Sequence, residues 1–244
     1  MRTARILTPF LILLLLAGCA GKPRDETAGW SVERFHQEAS TAMRQNDFER
    51  AITLYEGLEA RYPFHPLAQQ AQIEIAYAYY RKREPEAAIA AAERFIGLYP
   101  RHDHVDYAYY LRGLATFDDG GFLLDLFRED AAHRDPVMAR RSFNYFRELV
   151  ERFPDSRYAA DATQRMIHLR NRLAQSELYT ADFYMRRGAF LAAANRARYV
   201  VEHYQETPAV VPALELMVDA YTRMGLDDLA TDARRVLELN RSAR

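Results

Sequence analysis

The chain has 244 residues, with 33 Lys+Arg against 34 Asp+Glu and a formal charge of -1. Apolar residues at 49% and charged residues at 27% suit a folded body and argue against disorder. The charge balance gives no reason to expect nucleic acid as a partner, and the single cysteine, Cys19, excludes an intramolecular disulfide and a thiolate zinc site.

The N-terminus opens with Arg2 and Arg5, then an apolar run from Phe10 to Ala17. That run has the length of a signal-peptide core and is too short for an ordinary spanning helix. It ends in Leu16-Ala17-Gly18-Cys19, which resembles the bacterial lipoprotein box. The resemblance implies cleavage before Cys19, diacylglycerol on its sulfur and a further acyl chain on the new amine. Several chains on one residue anchor stably where one alone binds marginally. Ala20 after Cys19 looks like an outer-membrane address by the sorting rule of enterobacterial lipoproteins. A secreted protein with a chance cysteine is the alternative. Residues 1–18 are thus read as signal peptide and residues 19–30 as a lipidated tether.

From residue 31 a phrase recurs. Gln45-Asn46-Asp47-Phe48-Glu49-Arg50-Ala51 returns as Arg83-Glu84-Pro85-Glu86-Ala87-Ala88, then as Arg187-Gly188-Ala189-Phe190-Leu191-Ala192-Ala193, then as Met224 to Ala230. Ala51 and Ala88 are 37 residues apart, as are Ala193 and Ala230. Twelve residues before each lie Ala39, Ala76, Ala181 and Val218, short side chains that let paired helices approach closely. This is the tetratricopeptide pattern, stretched beyond its usual length of about 34 residues. The fold class expected is all-α, a tetratricopeptide-like right-handed superhelical array of five antiparallel helix pairs.

In chain order the pairs are about 31–45 with 47–61, 66–81 with 85–98, 103–117 with 136–152, 156–187 with 189–204, and 208–224 with 226–240. Pro66, Pro85, Pro136 and Pro208 sit where a first helical turn tolerates proline. Asp135, Ser156 and Thr207 read as caps. Tyr62-Pro63, Tyr99-Pro100 and Phe153-Pro154 end helices, because a residue before proline leaves the helical region. Residues 156–187 contain neither Pro nor Gly and predict one helix roughly 48 Å long. Gly113 occupies the small packing position of the third pair. The units expected are 31–102, holding repeats one and two, 103–155, holding repeat three with an insertion at 118–134, and 156–244, holding repeats four and five. The insertion's Gly120-Gly121 marks a break. Its apolar run from Phe122 to Phe127 either folds back on the array or meets a partner.

Stacked pairs curve and present an extended concave surface that suits a peptide or a domain edge. Phe64, Tyr77, Tyr79, Tyr80, Tyr107 and Tyr110 are the candidate groove residues. Tyrosines two apart cannot share a helix face, so part of each cluster packs while part faces the groove. Aromatic rings with polar tips suit capture of extended, aromatic-bearing segments. Enzyme signatures are missing: there is no phosphate loop, no His-Glu-x-x-His and no Gly-x-Ser-x-Gly. His102 and His104 read as a solvated corner, so no metal, catalytic residue or cofactor is expected beyond the lipid on Cys19.

Specific segments narrow the reading. They are Ala51-Ile52-Thr53-Leu54-Tyr55-Glu56, then Phe117-Asp118-Asp119 with Arg134-Asp135-Pro136, then Phe153-Pro154-Asp155-Ser156-Arg157-Tyr158, Arg187-Gly188-Ala189-Phe190 and Asn195-Arg196. With the lipoprotein box and the interrupted third pair, the chain resembles the BamD (ComL) family of outer-membrane assembly lipoproteins along its whole mature length. The resemblance implies a non-enzymatic, lipid-anchored subunit of the β-barrel assembly machinery on the periplasmic side of the outer membrane. Its C-terminal repeats would bind the central barrel subunit, BamA, with Arg196 at that contact. Its N-terminal repeats would receive C-terminal segments of unfolded outer-membrane proteins, and in some lineages companion lipoproteins lie alongside. The alternative is another periplasmic tetratricopeptide adaptor lipoprotein that coordinates cell-wall or envelope complexes.

Overall fold

The computed structural model describes residues 26–117 and 136–242. Cys19, Asp135 and the insertion at 118–134 lie outside the described residues. Within them are ten helices: α1 Val32–Arg44, α2 Phe48–Arg61, α3 Pro66–Arg81, α4 Pro85–Leu98, α5 Val105–Thr116, α6 Pro136–Arg152, α7 Ala159–Arg186, α8 Phe190–His203, α9 Val210–Arg223 and α10 Asp227–Ser242. No strand occurs among the described residues. Consecutive helices pack on one another in five antiparallel pairs, giving the all-α tetratricopeptide-like array that the spacing predicts.

The repeat has a backbone cause. Asn46, Arg83, Gly188 and Gly225 hold equivalent corner positions, and all four have positive φ, at 60°, 62°, 73° and 69°. The next residue's N–H reaches back five residues at each corner. Asp47 donates to Ala42 O at 2.9 Å, Glu84 to Tyr79 O at 3.1 Å, Ala189 to Tyr184 O at 3.0 Å and Leu226 to Tyr221 O at 2.9 Å. This left-handed closure satisfies the last helical carbonyls and reverses the chain. Across each corner the small residues meet. Ala39, Ala51, Ala76, Ala181 and Ala193 are fully buried, whereas Val218 of the last pair is only half-buried.

Pro66, Pro85 and Pro136 each open a helix as expected. Two starts differ. The long helix begins at Ala159 rather than 156 and has 28 residues, roughly 42 Å. Ser156 spends its hydroxyl outside the helix, donating to Asp106 Oδ2 at 2.6 Å and accepting from the Tyr158 N–H at 3.2 Å. Pro208 likewise precedes its helix, which opens at Val210. Thr207 is buried and donates its hydroxyl to Tyr204 O at 2.7 Å, so it ties the preceding helix end and does not cap the next one.

Three apolar clusters run along the array. The first joins α1, α2 and α3 around Phe35, Tyr55 and Leu58. The second joins α3 through α7 around Phe95, Leu111, Phe146 and Leu149. The third joins α7 through α10 around Val200 and Leu214. Helix α7 serves two of them, with Ala162, Leu169 and Leu173 in the middle cluster and Ala174 and Ala181 in the last. It is therefore the spine that couples the N-terminal and C-terminal repeats.

Gly113 of α5 sits against Phe146 of α6. A β-carbon there would stand 2.4 Å from the ring. Ser142, one turn before Phe146, donates to Gly113 O at 3.0 Å. The close crossing of the third pair thus rests on glycine's missing side chain.

Candidate functional site

The first helices of neighbouring pairs touch each other, α1 with α3, α3 with α5 and α7 with α9. They form the inner wall of the curve. On that wall the structure gathers part of the aromatic set. The rings of Tyr77 and Tyr80 on α3 are 6.1 Å apart, and Tyr107 on α5 lies 5.3 Å from Tyr158 and 6.5 Å from Tyr110. Glu74, one turn before Tyr77, joins them. Burial and then the neighbouring Tyr77, Tyr158, Glu74 and Tyr80 push the Tyr107 phenol far above its ordinary value. Burial also raises the Glu74 carboxyl.

The other candidates stand elsewhere. Tyr110 is buried, stacks on Tyr158 at 4.8 Å, and donates its hydroxyl to Asp161 of α7. Burial and that acceptor raise its phenol to about 12. Tyr109 is buried against Phe153. Tyr79 packs on the N-terminal cluster with Lys82 Nζ 5.7 Å from its ring. Phe64, in the turn between α2 and α3, is 96% exposed and touches neither group.

Sequence reasoning missed the charged residues of this wall. Arg81 donates to Tyr77 Oη and to Asn46 Oδ1, both at 2.9 Å, and lies 5.0 Å from the Phe48 ring. Its position four residues after Tyr77 was the available signal. A cavity of about 500 Å³ beside it is lined by Ser40, Arg44, Tyr55, Glu74 and Tyr77 among others. Also missed was Arg112 of α5. It is only 7% exposed, its Nη2 stands 2.7 Å from Glu148 Oε2, and it lies between the rings of Tyr109 and Tyr145 at 4.5 and 4.7 Å.

In the C-terminal repeats, Arg196 of α8 donates to Glu177 Oε2 at 2.9 Å. Glu177 of α7 is buried and takes Arg140 of α6 on its other oxygen at 3.1 Å. One carboxylate thus holds two guanidiniums from two repeats. The Arg196 side chain remains 48% exposed, so it is fixed in direction while still presenting donors to solvent.

Among the described residues no group of three or more His, Cys, Asp or Glu is placed to hold a metal ion. His102 accepts the His104 N–H at 3.1 Å and packs on Phe95 at 5.2 Å, which accounts for that corner.

Known proteins resemble the chain over nearly its whole length. An outer membrane protein assembly factor BamD from Neisseria meningitidis serogroup A is 44% identical, across 97% of this chain and 91% of its own. The protein of that name from Neisseria gonorrhoeae is 46% identical, across 91% and 84%. The one from Vibrio cholerae serotype O1 is 38% identical, across 96% and 97%. The sequence model of the family described as YfiO, outer membrane lipoprotein, matches residues 30–237, and the chain belongs to that family.

Proposed function

We propose that the chain is a non-enzymatic scaffold lipoprotein of the outer-membrane β-barrel assembly machinery. The observation that carries this reading is near-full-length identity of 38–46% to relatives named as outer membrane protein assembly factors. Lipid on Cys19 anchors it at the periplasmic side of the outer membrane. The N-terminal inner wall around Tyr77, Tyr80 and Tyr107 receives extended apolar-aromatic segments of unfolded outer-membrane proteins. The C-terminal repeats hold the central barrel subunit, BamA, through a face that includes Arg196. Weak capture suffices, because the anchor keeps captured segments at high local concentration beside the barrel. Helix α7 supplies the rigid link, since it shares its core with both halves.

Affinity isolation from solubilised membranes tests the C-terminal part. Charge reversal at a half-exposed arginine that meets an acidic partner costs at least tenfold in affinity, about 1.4 kcal/mol. Arg196→Glu should therefore recover roughly a tenth of the central subunit that the unaltered chain recovers, with the helical circular dichroism retained. Equal recovery removes Arg196 from the contact. Recovery of cell-wall synthesis proteins in place of the barrel subunit supports the adaptor alternative.

A further inference from the structure

Helix α10 carries an aliphatic stripe in solvent. Leu226 at its corner, then Leu229, Val236 and Leu239, are all exposed, Leu239 at 64%. Steps of three, seven and three residues keep them on one side of the helix. The stack does not ask for them. Six residues after the small Ala51, Ala88 and Ala193 stand Gly57, Arg94 and Tyr199, and nine after stand Ala60, Gly97 and Glu202. At those two places after Ala230 stand Val236 and Leu239. Nor is the stripe the unfinished end of the array. The residue directly after the small one is buried in the earlier helices, as Ile52, Ile89 and Ala194, where a further pair stacks on. In α10 that place holds the exposed Thr231. The open end is therefore polar, and the aliphatic side chains lie on a different face.

Two features of the stripe name its occupant. The first is register. Leu226 with Leu239, and Leu229 with Val236, are each centred midway between residues 232 and 233. An antiparallel copy turned about that point sets Leu226 on Leu239 and Leu229 on Val236, and the two-fold repeats both contacts. The second is charge. Asp227, Asp228 and Asp232 lie in the first half of α10, while Arg234, Arg235 and Arg241 lie in the second with Glu238 the one acid among them. An antiparallel copy brings the acidic half onto the basic half and opposes the helix dipoles, whereas a parallel copy sets like on like. Asp228 then stands within a turn of Arg235 across the two-fold, because that pair is centred one residue from the same point.

We infer that a second copy of the chain packs its α10 antiparallel against this one, Leu226 and Leu229 of each copy meeting Leu239 and Val236 of the other, to form a two-fold pair at the C-terminal end of the array. Four aliphatic side chains from each copy make a contact smaller than the roughly 1,200 Å² of a stable complex, so the pair is weak and reversible. Copies held on one membrane face by lipid meet at raised local concentration, which a contact of this size needs. The pairing is independent of the partner contacts proposed above.

Disulfide trapping of the full lipidated chain in membranes tests this. Asp232→Cys places a thiol beside the two-fold point, opposite its own copy, and Cys19 does not compete because its sulfur carries lipid. Glu238→Cys places a thiol on the exposed far side of the same helix. Mild oxidation should link the Asp232→Cys chain to itself about tenfold more than the Glu238→Cys chain, since a disulfide needs close approach of the two backbones. Leu229→Asp together with Leu239→Asp should abolish the link with the helical circular dichroism retained, because both side chains are exposed. Sedimentation of the full chain in detergent, over a concentration series, gives a second readout. Asp228→Arg and Arg235→Asp should each weaken self-association about fivefold, and the two together should restore most of it. Equal linking at residues 232 and 238 overturns the inference, as does a double charge variant no stronger than either single one. Linking of the Asp232→Cys chain to a different membrane protein in place of its own copy assigns the stripe to that protein and overturns the self-pairing.

Discussion

Replacing Gly113 with alanine is expected to lower the stability of the array by about 2 kcal/mol, although the same change in an exposed helix would raise it. The added methyl would meet Cε1, Cδ1 and Cζ of Phe146 at 2.4, 2.5 and 2.8 Å. The ring cannot give way cheaply. It is fully buried, with the Tyr110 and Phe117 rings 5.8 and 6.0 Å away. Separating α5 from α6 instead would pull Ser142 from Gly113 O. Overpacking of this kind costs about 1–3 kcal/mol, and the upper end applies where the obstacle is a caged aromatic ring. Helix propensity returns roughly 1 kcal/mol. Thermal unfolding should show a midpoint lowered by about 6 °C for a chain of this size. Phe146→Leu makes room, so Gly113→Ala should cost at least about 1 kcal/mol less in that background. Additive effects of the two changes would refute the contact as the cause.

The second large effect concerns the buried charge of α5. Glu148→Ala should destabilise the array by about 2 kcal/mol, while Arg112→Met should cost less than about 1 kcal/mol. Arg112 meets Glu148 at 2.7 Å and a more exposed Glu93 at 3.6 Å, and among the described residues its buried Nε finds no hydrogen-bond partner. Removing Glu148 leaves a desolvated guanidinium with one distant partner. Removing the guanidinium and keeping an unbranched apolar chain between Tyr109 and Tyr145 leaves Glu148 partly exposed and still paired with Arg152 at 3.0 Å. Breaking a buried pair costs about 3–5 kcal/mol, and the partial exposure of Glu148, at 34%, reduces that figure. Denaturant midpoints of the two variants decide the order. If Arg112→Met proves the more damaging, the pair stabilises the third repeat outright.

The fold was legible because the repeat writes one local rule several times. Ala51 and Ala88 share with Ala193 and Ala230 one spacing of 37 residues, and each follows a corner whose backbone must turn left-handed. Starts at Pro66, Pro85 and Pro136 were legible because proline excludes most other positions. Ser156 and Thr207 were misread for one reason. A hydroxyl that can cap the following helix can also bond backward or across to another element, and sequence does not show that Asp106 and the Tyr204 carbonyl are in reach. The tyrosines of the wall were legible as a cluster but not one by one. Neighbouring positions on one helix face divide by which later helix packs over them, and Tyr110 is covered because Tyr158 and Asp161 arrive about 50 residues on. The arginines were the least legible. Arg81, Arg112 and Arg165 owe their surroundings in part to residues from other helices, and a single arginine in sequence reads as a solvated face.

Photo-crosslinking in membranes most directly tests whether the inner wall of the N-terminal repeats takes unfolded barrel proteins. One crosslinking residue replaces Tyr77 on α3, and another replaces Ala90, exposed on the second helix of the same pair. Crosslinks to unfolded outer-membrane proteins at Tyr77, and few or none at Ala90, are the predicted result. Equal yields at both positions, or crosslinks at Ala90 alone, would contradict it.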